Sequence, residues 1–156
     1  MGISSDGQIC YGVLLDEEQD YPWNDEKYDN DFECWWLEGV CGYEPPFMLF
    51  NAAGMWISAE DEHNDEKVSR YFAHRRAFEK AHPCPVDLEN YCSYDYPMYI
   101  LAVGYGLCAK RGYPTRFDPA DLQMLEETHY ALLAFCAEHS LKYSGEPCWW
   151  LSSLYG

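Results

Sequence analysis

Basic side chains are scarce: only 10 Lys and Arg stand against 27 Asp and Glu, a formal net charge of −17 over 156 residues. A module that grips phosphates needs clustered Lys and Arg, so direct nucleic-acid binding is set aside. Long apolar runs are missing too. The longest charge-free stretches, Pro45–Ala59 and Tyr96–Ala109, are shorter than the roughly 20 apolar residues of a membrane helix, and both carry Gly or Pro. They read as buried strands, and no membrane association is expected. The opening Met1-Gly2-Ile3-Ser4-Ser5-Asp6 has neither the basic start nor the apolar stretch of a signal peptide. Asp6 stands where a myristoylation signal wants Ser or Thr. The expectation is a cytoplasmic protein.

Motifs that carry chemistry are equally thin. No Cys-x-x-Cys occurs, and His82-Pro83-Cys84 with Cys92 leaves little room for a compact zinc chelate between Pro83 and Pro85. The stretch from Asp25 to Glu33 is rich in oxygen ligands but lacks the Asp-x-Asp-x-Asp-Gly order of an EF-hand loop. Gly-x-Ser-x-Gly, the P-loop and the dinucleotide-binding glycine pattern are absent. His74 falls among basic residues and reads as part of a solvated helix face. His129 lies on an apolar stripe, where a hydrogen-bonded core histidine is the ordinary reading. No catalytic residue, metal ligand or cofactor is assigned, and the chain is not read as an enzyme. Eight cysteines, at positions 10, 34, 41, 84, 92, 108, 136 and 148, are scattered one per element. Without a secretion signal they read as reduced, buried thiols acting as small hydrophobes.

Aromatic residues are abundant, with Tyr 14, Phe 7 and Trp 6, and hydrophobic residues make up 48% of the chain, ample for a core. Gln8–Leu15 reads as a first strand, stopped by Asp16-Glu17-Glu18. Phe32–Glu38 reads as a short helix or turn, and Pro46–Asn51 with Gly54–Ser58 as a short hairpin or bulged strand. A helix is expected from an N-cap at Ser58 to His82-Pro83. Acids fill its first turns, Val68, Tyr71, Phe72, Arg75 and Phe78 form one face, and Lys67, Arg70, Arg76 and Lys80 follow. Strands at Val86–Cys92 and Met98–Val103 come next, the second ended by Gly104 and Gly106. Asp118, Pro119 and Asp121 signal a second helix to His139, with Leu122, Leu125, His129, Leu132, Leu133 and Cys136 as its stripe. Pro147–Leu151 is a last strand. The fold class is α+β: one compact domain over 1–156, with a small, mainly antiparallel sheet packed against two principal helices.

The charge is uneven along the chain. Residues 1–66 hold 17 acids and one base, Lys27, whereas residues 67–156 hold 10 acids and 9 bases. Nine of the eighteen residues at 16–33 are acids: Asp16, Glu17, Glu18, Asp20, Asp25, Glu26, Asp29, Asp31 and Glu33. Fully extended, eighteen residues span at most ~60 Å, or one carboxylate per ~6.6 Å. Duplex DNA carries a charge per ~1.7 Å of axis, so the segment alone is too dilute to imitate it. Like charges this dense repel one another, and a basic partner surface relieves the repulsion. Tyr21, Trp23, Tyr28, Phe32, Trp35 and Trp36 interleave or follow the acids. They either anchor the loop to the body or form an exposed patch. In the second case Trp23 and Tyr28 join the carboxylates as partner-binding residues.

Two stretches bear a likeness to other proteins. Ser4-Ser5-Asp6-Gly7-Gln8-Ile9-Cys10-Tyr11-Gly12-Val13 with Tyr21-Pro22-Trp23 and Trp35-Trp36 resembles the start of small uncharacterised accessory proteins of tailed bacteriophages. The stretch from Cys92 to Val103 is similar to a segment of such proteins. The resemblance covers about a quarter of the chain and carries no catalytic residue. It implies a phage accessory protein, a group that includes inhibitors of host defence nucleases. The expected function is an acidic binding protein that occupies a basic surface on a host nucleic-acid-handling complex of the CRISPR or restriction type. The alternative is a Ca²⁺-stabilised, structural or regulatory phage protein without nucleic-acid mimicry.

Overall fold

The computed structural model describes residues 5–47, 64–93, 97–110, 113–116 and 118–155. The fold is α+β, with a curled, mainly antiparallel sheet. The chain forms two compact units, one of Met1–Asp20 with Pro85–Gly156 and one of Tyr21–Cys84.

The first unit holds four strands: β1 (Ser5–Leu15), β2 (Asp87–Ser93), β3 (Pro97–Ala109) and β4 (Tyr143–Tyr155). β1 lies between β3 and β4, antiparallel to both, and β2 pairs antiparallel with β3. A short parallel pairing of Cys92 with Leu154 and Ser93 with Tyr155 closes the sheet on itself. From Ile9 to Leu15 β1 is apolar apart from Gly12, and both of its faces are covered there. Its period-two alternation sends Tyr11, Val13 and Leu15 one way and Cys10 and Leu14 the other. Cys10 packs in a cluster with Ile100 and Ala102, against Leu14, Tyr91 and Trp150. On the opposite face Tyr11 meets His129 of α3 (Glu126–Glu138), whose Leu132, Phe135 and Cys136 are buried.

β3 runs on to Ala109 through the glycines expected to end it. The register against β1 slips between Ile9 and Tyr11, where β3 passes from Leu107 to Val103. Glycine inside a strand marks such an irregularity as readily as an end. The second expected helix is divided. Asp118 accepts a hydrogen bond from the Ala120 N–H at 3.0 Å, and Pro119–Leu122 forms a 3₁₀ turn. The α-helix proper starts only at Glu126, after an extended Leu125 that is 64% exposed and so lies off the buried stripe. The cap and proline signals were read correctly, but they open the 3₁₀ turn.

The second unit begins with 3₁₀ turns at Pro22–Asn24 and Glu26–Tyr28. A helical segment follows, α1 (Phe32–Cys34), running on as a π-helix over Trp35–Val40. Asp31 caps it, its carboxylate accepting from the Cys34 N–H at 2.7 Å. α2 (Asp65–Ala81) is capped by Asn64, which accepts from the Lys67 N–H at 2.9 Å. Non-helical backbone at Asn64 makes it the cap of this helix, while Ser58, the expected cap, lies outside the described residues. The expected hairpin at 46–58 and the acids of 60–62 fall mostly or wholly outside the described residues. No residue of α2 is fully buried, and Phe72 is 40% exposed, so the expected apolar face is only half covered.

Candidate functional site

The eighteen-residue acidic segment divides at Tyr21. Asp16, Glu17, Glu18 and Asp20 belong to the sheet unit; Asp25, Glu26, Asp29, Asp31 and Glu33 belong to the other. Asp16 is half-buried and the remaining eight acids are exposed. In the first unit Gln19 clips the segment to the turn between α3 and β4. Its amide Nε2 donates to the Ser140 carbonyl at 3.0 Å, and its Oε1 accepts from the Lys142 N–H. The Asp16 N–H also donates to the Lys142 carbonyl at 3.1 Å.

In the second unit the acids ride on a turn that their own side chains help to build. Asp25 accepts from the Lys27 N–H at 2.9 Å and Asp31 caps α1. Asp29 and Asn30 take left-handed backbone, φ 56° and 55°, which Asp and Asn tolerate better than most residues. The turn thereby reverses without a glycine. Beneath it lies an aromatic stack. Tyr21 lies flat on Trp23 with centroids 4.7 Å apart, Phe32 meets Trp23 edge-on at 5.0 Å, and Trp35 closes on Trp23 at 5.5 Å. Trp23 is only 2% exposed, and its Nε1–H has no hydrogen-bond partner among the described residues.

Trp23 is therefore corrected from a partner-binding residue to an internal anchor. A side chain already stacked on Tyr21, Phe32 and Trp35 has no face left to offer. Tyr28 is half-buried. Its hydroxyl sits where a Cβ on Gly39 would approach to 2.8 Å, and the Lys27 ammonium donates to it at 3.2 Å. That bond, with the charge of Asp25 and Glu38 added, raises the Lys27 pKa.

A second polar cluster, which sequence reading missed, joins α1 to α2. Arg75 Nε donates to Glu79 at 2.9 Å, and its Nη2 lies 3.7 Å from Cys34 Sγ. Burial works to lower the Arg75 pKa, but the bonds to Glu79 and Cys34 outweigh it and the net shift is upward. For the Cys34 thiol, burial raises the pKa and the Arg75 contact offsets only part of that. Arg75 was visible only as the one charge interrupting an apolar face. The Trp36 Nε1–H donates to the His82 carbonyl at 3.0 Å, and Tyr43 packs on Phe78 at 5.0 Å.

His129 is a hydrogen-bonded histidine, as its place on the stripe suggested. The Tyr11 hydroxyl is 2.9 Å from His129 Nδ1 and 3.2 Å from the Pro147 carbonyl oxygen. A carbonyl only accepts, so the hydroxyl hydrogen points to Pro147 and the imidazole Nδ1–H donates to Tyr11. Exposed His74 stands 3.4 Å from the Tyr43 hydroxyl.

The seven cysteines whose side chains are described are free thiols. Cys10 and Cys136 are buried as expected, and desolvation pushes each up to about 11, with Glu89 adding to the shift of Cys10. Cys108 and Cys148 are exposed, contrary to the expectation of small buried hydrophobes. Both lie in strands, where every second side chain leaves the core. Among the described residues no three His, Cys, Asp or Glu side chains converge as a metal site would require, and no helix is long and apolar enough to cross a membrane. Comparison with protein-family models, curated proteins and solved structures finds no match.

Proposed function

We propose that this protein acts by binding, presenting the carboxylates of Asp25, Glu26, Asp29, Asp31 and Glu33 to a basic surface on a partner protein. The observation that carries the reading is the division of labour in this turn. All five acids are exposed, while Tyr21, Trp23 and Trp35, which flank them in the chain, are buried. A charged turn fastened to its own unit in this way is pre-organised, and less ordering entropy is lost when a partner docks. Basic surfaces of the required kind occur on proteins that hold nucleic acid, because they match phosphate charge. The partner class in this reading is a host nucleic-acid-handling defence complex, of CRISPR or restriction type, in the host cytoplasm. The protein itself is the phage-encoded inhibitor that occupies the nucleic-acid surface.

The experiment is binding to purified defence complexes over a salt series. The parent chain is compared with the variant carrying Asp25→Asn, Glu26→Gln, Asp29→Asn and Asp31→Asn. Asn preserves the caps at 25 and 31 and tolerates the left-handed backbone at 29, so the variant removes charge and little else. Affinity should fall as salt rises, and the variant should bind more weakly by about tenfold or more. Affinity indifferent to both salt and the four neutralisations refutes the reading.

A further inference from the structure

The sheet of the first unit closes on itself through a short seam, and a cavity lies beside it. β1 pairs with β3 and β4 along most of its length, but β2 and β4 are in register only at Cys92–Leu154 and Ser93–Tyr155. Away from that junction the strands lack register pairs, and a cavity of about 420 Å³ opens into the sheet. Leu14, Tyr91, Met98, Ile100 and Trp150 line it, and Leu151, Ser152 and Ser153 complete it along β4. The volume lies within the range of about 300–1,000 Å³ typical of small-molecule sites, and the composition is also typical: apolar and aromatic walls with a few hydroxyls.

One wall is set in advance. The Trp150 Nε1–H donates to the Gly12 carbonyl at 2.9 Å, which fixes the indole against the cluster of Cys10, Ile100 and Ala102. Leu151 is 79% exposed, a large aliphatic side chain in water beside an apolar cavity.

The charges near the cavity select the ligand. None of the eight described residues lining it is charged. Glu89 stands opposite Ile100 in the β2–β3 ladder, on the same face of the sheet, and contributes to the rise of the Cys10 thiol pKa after burial itself. A carboxylate or sulfonate entering here would lose its hydration beside the Glu89 carboxylate and meet no cation among the described lining residues. We infer that this cavity, lined from all four strands, binds an uncharged, largely apolar small molecule whose single polar group meets the hydroxyl of Ser152 or Tyr91. The cavity belongs to the first unit and the acidic turn to the second, and the two readings are tested independently.

The test uses the full chain with Nile red, a neutral dye that brightens in apolar surroundings, and two competitors of equal tail length, dodecanol and laurate. Expected are saturable binding of one dye per chain and displacement by dodecanol at a concentration lower than laurate by about tenfold or more. Ser152→Trp, which fills the mouth with an indole, should abolish the signal with the far-ultraviolet circular dichroism and thermal midpoint of the parent. Met98→Trp makes the same test from β3 if the first variant does not fold. No saturable signal in the parent chain overturns the inference. So does a signal retained in a folded Trp variant, or laurate competing as well as dodecanol.

Discussion

The two units are built on different chemistry. The sheet unit buries small and branched side chains, Val13, Ile100, Leu101, Val103 and Leu132 among them, and closes β1 between two neighbours. The second unit buries a few large rings, Tyr21, Trp23, Trp35 and Tyr43, with Leu37. Strands stack aliphatic side chains face to face along a ladder. Short turns and single helical segments offer few such faces, and flat rings cover more area per residue ordered. Charge divides just as instructively. The sheet unit carries 14 acids and 4 bases, and the second unit 13 acids and 6 bases. The contrast between a strongly acidic start and a neutral remainder thus belongs to the linear chain. Folding carries Asp16–Asp20 into the sheet unit and puts Lys67, Arg70, Arg75, Arg76 and Lys80 in the same unit as the acidic turn.

The strongest way to break this comparison is to remove one core at a time. Trp23→Ala should cost about 3–5 kcal/mol and Leu101→Ala about 2–5 kcal/mol in urea denaturation. Hydrogen exchange should show protection lost first around residues 21–43 in the former and in the strands in the latter. Identical loss throughout the chain in both variants would mean that the units do not differ as described. Trp23→Phe should cost much less than Trp23→Ala, because a ring remains on Tyr21 while the unpartnered buried N–H disappears.

Alkaline pH probes the sheet unit through its thiols. Cys10 and Cys136 are raised from 9.0 to about 11 in the folded protein. The unfolded thiols therefore ionise first, and this part of the stability, complete below pH 9, is lost between pH 9 and 11. The loss should reach about 2–3 kcal/mol for each thiol, and the double variant Cys10→Ala with Cys136→Ala should flatten that stretch of the denaturation profile.

Smaller effects separate backbone fit from charge. A Cβ at Gly12 would come within 2.3 Å of the Leu101 carbonyl oxygen. Gly12→Ala should therefore cost about 1–3 kcal/mol in thermal or chemical melts, whereas Gly7→Ala, with nothing within 4 Å, should cost far less. The smallest effect concerns the acidic turn. Asp31→Ala should cost about 1 kcal/mol through the lost cap, and Asp31→Asn close to nothing. If Asn proves as costly as Ala, the charge of Asp31 matters to the fold, and its neutralisation ceases to be a clean test of binding.

Much of the fold was legible in the chain, for local reasons. Gln8–Leu15 is an apolar, β-branched and aromatic run stopped by three acids, and β1 ends at Leu15. Asp118 and Pro119 mark a helical start, and a 3₁₀ turn starts there. What escaped depends on partners distant in sequence. Gly104 and Gly106 look like a strand end until β1 supplies the register in which β3 continues past them. Leu125 keeps helical spacing with Leu122 and Leu132, yet the backbone is extended there and the side chain meets water. The acids of the candidate site were plain from composition. The role of Trp23 was not, because a tryptophan among carboxylates reads either as anchor or as bait until Tyr21, Phe32 and Trp35 are seen around it.

The amino-acid sequence by itself determined the α+β class, the surplus of acids and the local caps, all of which depend on residues a few positions apart. Only the tertiary structure decided which acids share a unit, which tryptophan faces inward, and that a cavity lies beside the short seam of β2 and β4. The cavity follows from strand pairings across tens of residues, where burial and register rather than local preference set the position of each side chain, and the inward turn of Trp23 follows from the rings of Tyr21, Phe32 and Trp35 packed around it.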